Sequence, residues 1–434
     1  MVTYVSCLRA YGCALLCLLA AFLLASCTDD ARKGEIGFPS TGGQQGDSLT
    51  GPASAAVGNG MKQQAIARMQ QAIVQYERVE GLGGWPAIPY GETIEPGDSS
   101  ARIILLRELL TKTGDLTGTA TQESGRIYTP TLVQAVMQFQ ARHGLEADGR
   151  IGSTTLAAMN TPVEQRLEQL RINLNRLQEL PDSMGQRFVL VNIPEYKLRA
   201  YENDAAVQEM AVIVGETYED QQTPRFSDEM EYIIFRPYWN VPERIAAEEI
   251  VPEARLDPTY LSANNYEITS DWGPDAEVME VTPENLDLVE AGTLKIRQKP
   301  GEENALGLVK FMFPNPYDVY LHGTPADYLF GEQTRAFSHG CIRVEKPVEL
   351  AQFLLLDQPD WSRERIEQAM HGGEQTRVDL SRPTPIHIVY LTAFVDNEGK
   401  VHFFEDVYNL QGDGQPRTGD QRMPEDPNAM DPGR

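Results

Sequence analysis

A chain of 434 residues has room for about two or three domains and a sizeable core. Its formal net charge of -26 makes a surface that repels nucleic acid and anionic membrane, which excludes both as direct ligands of the body. Of the five cysteines, Cys7, Cys13, Cys17 and Cys27 crowd the first 27 residues and leave Cys341 alone in the rest of the chain.

The N-terminus carries the marks of an export signal. Arg9 is the only charge before Asp29, and residues 13–25 form an apolar core too short for a spanning helix. Leu24-Ala25-Ser26-Cys27 resembles the bacterial lipoprotein signal, in which Cys27 is lipidated and becomes the first residue; an ordinary signal peptide cut near Ser26, or a retained anchor, is the other reading. With Thr28 rather than Asp in second place, resemblance to enteric lipoproteins implies an outer-membrane anchor facing the periplasm. Residues 28–60 are rich in Gly, Ser, Gln and Asp, cannot bury enough surface to fold, and form a tether reaching about 30 Å on average. Residues 411–434 have a similar composition and form a disordered tail.

Helical spacing begins with Ile66, Met69, Ile73 and Tyr76 in a scaffold segment over 61–93. Further helices are expected over 103–110, 131–143 and 153–159, with Val133, Val136, Phe139 and His143 on one face. The pattern Leu105-Leu106, Leu109-Leu110, Ala135-Val136, Phe139-Gln140, Gly144-Leu145, Asp148-Gly149, Gly152, Thr155 and Leu156 is similar to a small three-helix peptidoglycan-binding domain over 94–160. A generic helical packing module is the alternative. Thr161-Pro162-Val163-Glu164 has the form of a capping box with Pro at the first helical position. The helix it opens, in a linking segment over 161–185, carries Leu167, Leu170, Leu174 and Leu177 as a narrow seam and has the character of a strut.

From Arg187 the period changes to that of strands, expected over 188–191, 197–201, 210–214 and 231–235, which suggests a sandwich or barrel-like β domain over 186–410. Residues 243–292 are acidic, partly helical and broken by Pro and Gly, the composition of an inserted lid or capping subdomain. The β pattern resumes at 294–297, 309–313 and 319–322, helices follow over 348–356 and 363–370, and 386–394 with 401–404 form a closing hairpin. The fold class is therefore α+β and multidomain: a helical scaffold and three-helix module, then a mainly-β, sandwich-like domain with an insertion.

Chemistry concentrates in Phe337-Ser338-His339-Gly340-Cys341-Ile342-Arg343 and in Leu321-His322-Gly323-Thr324. A lone Cys near His is either a small buried core residue or a nucleophile whose thiolate a neighbouring base draws out. On an extended strand His339 and Cys341 share a face, although Gly340 permits a turn that separates them. His322 comes from a separate strand, and the Cys341 amide is placed to contribute to an oxyanion hole beside Gly340. Arg343 suits a substrate carboxylate, or an ion pair with Glu345. A Cys-His-His zinc site competes, but neither a Cys-x-x-Cys nor a His-Glu-x-x-His accompanies it, and Gly81-Leu82-Gly83-Gly84 lacks the Lys of a phosphate loop. No metal and no cofactor is called for.

His322-Gly323-Thr324 followed by Ser338-His339-Gly340-Cys341-Ile342-Arg343 resembles the active-site motif of the L,D-transpeptidases, the YkuD-type catalytic domain. Gly84-Trp85-Pro86, Pro237-Tyr238-Trp239-Asn240-Val241-Pro242, Arg297-Gln298, Pro300-Gly301, Asn304-Ala305-Leu306-Gly307, Val309-Lys310-Phe311 and Phe313-Pro314-Asn315 extend the likeness to the large YcbB-like branch. Gly323 departs from it, since that branch commonly carries Asp before Thr-Pro. The resemblance implies Cys341 as nucleophile, His322 as general base oriented by the Gly323 carbonyl, His339 as support, and Arg343 as donor anchor. Tyr317, Thr324, Ser338 and Gly340 would line the pocket. It implies two-step acyl transfer between peptidoglycan tetrapeptide stems, giving 3→3 cross-links, and acylation of Cys341 by carbapenems. A thiol hydrolase, a protein-lysine acceptor and a non-catalytic wall tether are the other readings, and no oligomeric state is implied.

Overall fold

The computed structural model describes residues 57–118, 125–218, 220–273 and 276–411. The expected leader, Cys27, nearly all of the tether and the tail beyond 411 lie outside the described residues.

The helical part begins with α1 (Val57–Gly81), α2 (Arg102–Lys112), α3 (Pro130–Arg142), α4 (Ser153–Met159) and α5 (Val163–Glu179). Helices α2, α3 and α4 share a core in which Leu106, Leu109, Leu132, Val136, Phe139 and Leu156 are buried. The Asp148-Gly149 turn is fixed by Gln140, whose Nε2 donates to Asp148 Oδ1 at 2.9 Å and whose Oε1 accepts the Gly149 amide at 2.8 Å. Gly149 has φ +73°, and a Cβ there would stand 2.8 Å from Val133 Cγ1, so both backbone and space require glycine.

The capping-box expectation at Thr161 fails. Pro162 occupies the N-cap of α5 without a side-chain bond, and Thr161 Oγ1 donates instead to the Ala157 carbonyl at 3.2 Å, closing α4. Nor is α5 a strut. It packs along α1 and against the chain's last hairpin, in a core shared by Met69, Tyr76, Leu167, Leu170, Val395 and Phe403. Its buried polar residues serve that contact: Gln169 Nε2 donates to the Thr392 and Phe404 carbonyls, and Asn173 exchanges bonds with Thr392. Buried amides persist because hairpin main chain answers them.

Strands β1 (Arg187–Asn192), β2 (Lys197–Glu202), β3 (Ala205–Gly215) and β4 (Phe226–Phe235) open the strand-rich region. A small sheet follows, made of β5 (Trp239–Asn240), β6 (Tyr266–Thr269), β7 (Val278–Met279) and β8 (Lys295–Gln298) in the order β5-β8-β6-β7. Between its strands run α6 (Glu243–Ile245), α7 (Val251–Leu256), α8 (Tyr260–Ala263) and α9 (Pro283–Glu290). Ile245, Ile250, Leu261, Ile268, Leu286 and Ile296 give this insertion a core of its own. The strand expected at 294–297 exists as β8, but it belongs to the insertion's sheet and not to the main one, because its only partners are β5 and β6.

The main sheet continues with β9 (Val309–Met312), β10 (Leu321–His322), β11 (Ala336–Ser338), β12 (Ile342–Val344) and β13 (Thr376–Val389), in the order β11-β3-β12-β10-β9-β4-β13-β1-β2. Since β2 also pairs with β3, this single sheet closes on itself. Helices α10 (Pro347–Leu354) and α11 (Arg363–His371) add Leu350, Phe353, Ile366 and Met370 to its core. The strand expected over 386–394 divides. Its first part ends β13, between β4 and parallel β1, while β14 (Ala393–Val395) pairs with β15 (Val401–Phe403) in the terminal hairpin. The part of β13 before Ile386 contains Pro383 and Pro385 and an irregular register between Asp379 and Thr384, which hid it from an alternation pattern.

Candidate active site

Three adjacent strands build the site. His322 on β10 is the Cα partner of Lys310 on β9 and of Arg343 on β12. One step back, the Ile342 amide donates to the Tyr320 carbonyl at 3.1 Å, which brings Cys341 level with Tyr320. Side chains alternate along a strand and paired residues share a face. Phe311, Leu321 and Ile342 therefore enter the core, and Lys310, Tyr320, His322, Cys341 and Arg343 gather on the other side.

His322 is buried, and its Nδ1 lies 2.5 Å from the Gly323 carbonyl oxygen. A carbonyl only accepts, so Nδ1 carries the proton and Nε2 is left with its lone pair. Burial, with the Arg343 and Lys310 cations adding to it, lowers the imidazole to about 3 against the pull of the Gly323 carbonyl. A Cβ at Gly323 would make only ordinary contact, 3.5 Å from the Leu306 oxygen. Position 323 thus supplies its carbonyl, and glycine is not sterically demanded there.

Cys341 is a free, partly exposed thiol whose Sγ lies 3.7 Å from the Asp318 carbonyl oxygen. Burial of the sulfur raises its pKa, while the Tyr320 amide and hydroxyl and the Lys310 charge oppose that rise. The resting pair is consequently thiol and neutral imidazole. His322 and Cys341 stand on the same sheet face.

The bend at 339–340 settles the alternatives around Cys341. Strand β11 runs parallel to β3 on one edge and β12 antiparallel on the other, so the chain arches over the end of β3 with Gly340 at φ +109°. His339 is not on an extended strand with Cys341; its Nε2 lies 2.9 Å from Glu249 Oε1 of the insertion. Ser338, expected to line the pocket, is buried, and its hydroxyl donates to the Cys341 carbonyl and accepts the Gly340 amide. Thr324 is half-buried, its Oγ1 accepting the Ala326 amide at 3.1 Å. Tyr317 is exposed, with its ring 5.0 Å from that of Phe226. Arg343 does not pair with Glu345, whose carboxylate accepts the Ala211 amide. Among the described residues its Nη2 reaches the Phe337 carbonyl, at 3.4 Å, and its buried Nε has no partner.

Two residues of this face escaped the motif. Lys310 Nζ stands 3.6 Å from the centre of the Tyr320 ring, and burial lowers it to about 8. The Tyr320 ring lies 5.7 Å from that of His322, and burial and the neighbouring thiol raise its hydroxyl well above the ordinary value. The alternation Val309-Lys310-Phe311 was the available signal: a lysine opposite two core residues on a strand next to His322. Gly307 is a third case. Its φ is +61°, and a Cβ would stand 2.5 Å from the Thr324 amide nitrogen, so glycine lets the 304–307 turn close behind the His-Gly-Thr segment. Among the described residues, no group of three or more His, Cys, Asp or Glu is arranged to hold a metal.

Two stretches of the chain match known families. Residues 186–388 match the YkuD family, described as the L,D-transpeptidase catalytic domain, and residues 99–159 match a family described as "Putative peptidoglycan binding domain". A curated relative from Haemophilus influenzae, "Putative L,D-transpeptidase", is 32% identical over 241 residues, 56% of this chain and 47% of the relative. The chain thus matches about half the length of that relative. Among solved structures, an L,D-transpeptidase from Stackebrandtia nassauensis is 12% identical with a TM-score of 0.27, over 70% of this chain and 96% of that one. One from Mycobacterium smegmatis is 12% identical with a TM-score of 0.22, over 47% and 58%. The fold is a helical region with a peptidoglycan-binding domain, followed by a mainly-β catalytic domain. That catalytic domain is of the YkuD L,D-transpeptidase kind.

Proposed function

We propose that the protein is a peptidoglycan L,D-transpeptidase that forms 3→3 cross-links with Cys341 as nucleophile. The observation that carries this is the thiol of Cys341 on one sheet face with His322, whose Nδ1 is committed to the Gly323 carbonyl. In the first half-reaction Sγ bonds to the carbonyl carbon of the third stem residue, at the L-centre of diaminopimelate. The bond to the terminal D-Ala nitrogen breaks, and the thiol proton passes through His322 Nε2 to the leaving amine. In the second, the side-chain amine of another stem attacks the thioester, the C–S bond breaks, and a proton returns to sulfur. The Cys341 amide serves the oxyanion of both tetrahedral intermediates, and the Arg343 guanidinium, which has no carboxylate partner among the described residues, anchors a donor carboxylate. The insertion covers the thioester, its Glu249 holding His339, and so favours amine over water. The same thiol takes a carbapenem. Lipidation of Cys27 would tether the enzyme to the outer membrane, facing the periplasm.

The test is incubation of tetrapeptide stems with wild type and with Cys341→Ala, followed by mass analysis. Dimers with loss of one D-Ala are expected from wild type and none from the variant; tripeptide monomer without dimer would sink the transferase reading. Retention of Cys27→Ser in the outer-membrane fraction would overturn the anchor.

A further inference from the structure

The arch that carries Cys341 is held by a buried network from distant parts of the chain. The Thr223 hydroxyl, in the segment between β3 and β4, accepts the Gly215 amide at 2.8 Å and donates to the Gly340 carbonyl at 2.8 Å. An amide only donates and a carbonyl only accepts, so the single hydroxyl proton has one destination. The Tyr408 hydroxyl holds Thr223 in turn: it accepts the Thr223 amide at 3.2 Å and donates to the Gly215 carbonyl at 2.7 Å. Thr223 and Tyr408 are both buried. The fit is close, for a Cβ at Gly215 would stand 2.0 Å from the Gln221 oxygen and 2.7 Å from the Thr223 nitrogen.

The Gly340 carbonyl belongs to the same peptide unit as the Cys341 amide. A trans peptide is planar, with its C=O and N–H pointing opposite ways, so a bond that pins the Gly340 oxygen also aims the Cys341 hydrogen. Among the described residues that amide has no acceptor. On the other side of Cys341, Ser338 Oγ holds the Cys341 carbonyl. Both peptide planes flanking the nucleophile are therefore clamped from behind, and one N–H is left directed away from its clamp.

We propose that Thr223, supported by Tyr408, is a positioning residue for carbonyl attack: its hydroxyl fixes the Gly340–Cys341 peptide plane and so sets the direction of the Cys341 N–H that stabilises the oxyanion. The inference rests on Cys341 being an acylated nucleophile. It assigns a role in the reaction to two residues outside the His-Gly-Thr and Ser-His-Gly-Cys segments.

Two thiol reagents separate aim from reactivity. p-Nitrophenyl acetate must pass through an oxyanion to acylate Cys341, whereas iodoacetamide alkylates the same sulfur at a saturated carbon with no oxyanion. Thr223→Val keeps the shape and removes the hydroxyl; it should slow acylation by about 10- to 100-fold and leave alkylation within about twofold. Thr223→Ser should restore acylation to within about threefold of wild type. If Thr223→Val does not fold, Tyr408→Phe, which loses only the supporting hydroxyl, should cut acylation by about three- to tenfold with alkylation unchanged. Equal loss in both reactions, or unchanged acylation in Thr223→Val or Tyr408→Phe, overturns the proposal. Neither reagent depends on stem peptides, so variants that split the two reagents as expected, with a wild type that makes no dimer, overturn the transpeptidase reading alone.

Discussion

Two buried histidines in this molecule have nearly the same local chemistry and different surroundings. His143 caps α3, with its Nδ1 2.7 Å from the Phe139 carbonyl, and His322 ends β10, with its Nδ1 2.5 Å from the Gly323 carbonyl. Burial is the leading cause that holds both imidazoles neutral, and a nearby arginine adds to it in each case. They differ in what surrounds the rest of the ring. His143 is stacked on Phe139 at 3.8 Å and faces Phe403 at 5.6 Å, at the seam where the peptidoglycan-binding domain meets the terminal hairpin. His322 faces Tyr320 and shares its sheet face with a partly exposed thiol. A carbonyl on Nδ1 and a depressed pKa are thus insufficient to identify a base; the proposed role of His322 rests on the partly exposed thiol beside it.

The comparison breaks most sharply under substitution. His322→Gln should lower acylation of Cys341 by about 100-fold or more while the melting temperature stays near wild type, since only the base is lost. His143→Ala should do the reverse, with unfolding free energy reduced by roughly 3 kcal/mol through lost ring packing and the acylation rate per folded molecule unchanged. An acylation loss in His143→Ala as large as that in His322→Gln would erase the distinction. Acid should treat the two alike. Because both folded pKa values are depressed, the unfolded chain binds more protons as pH falls below about 6.5. Stability is therefore full above that pH and declines toward about 3 for His322, by up to about 1.4 kcal/mol per pH unit for each ring. Denaturant titrations at pH 7 and pH 5 read this directly, and a His143→Phe variant should flatten part of the decline.

The smallest effect sharpens the site itself. Lys310 favours the Cys341 thiolate, and its own pKa of about 8 means that this help fades as pH rises through that value. Lys310→Met should lower iodoacetamide reactivity by about three- to tenfold below about pH 8, where the wild-type ammonium is charged, and leave it nearly unchanged above. Lys310→Arg should match wild type below about pH 8 and exceed it above, because its charge does not titrate there. Asp318, Tyr320, His322 and Arg343 face the same thiol or its base and remain in every variant. Coincident profiles for wild type and Lys310→Met would remove Lys310 from the site.

The His-Gly-Thr and Ser-His-Gly-Cys-Ile-Arg segments were legible because fixed spacing within a short stretch survives any tertiary arrangement. Apolar patterning was plain in α1 to α5, β1 and β2, whereas only the more buried later halves of β3 and β4 showed, because 205–209 and 226–229 are exposed or half-buried. Reading failed where an element serves a partner far along the chain. The polar face of α5 looked solvated, yet Gln169 and Asn173 are buried against Thr392, more than two hundred residues away. Leu294 to Arg297 had the alternation of a strand, and nothing in it distinguished the insertion's sheet from the main one. Ser338 looked like a pocket residue because its hydroxyl is two residues from the motif's Gly340; its actual partners are main-chain groups of the arch.

By itself the sequence determined the kinds of parts and one chemistry: helices then strands, a single body thiol, and a histidine two segments away to serve it. Those follow from side-chain type and local period, which the chain carries at every position. Tertiary structure decided what faces Cys341 and what holds it. The pairing of β9, β10 and β12 brings Lys310 and Tyr320 to the sulfur, and the return of Thr223 and Tyr408 to the end of β3 fixes the peptide plane behind it. Such contacts are made between residues far apart in the chain, and strand order and loop closure bring them together.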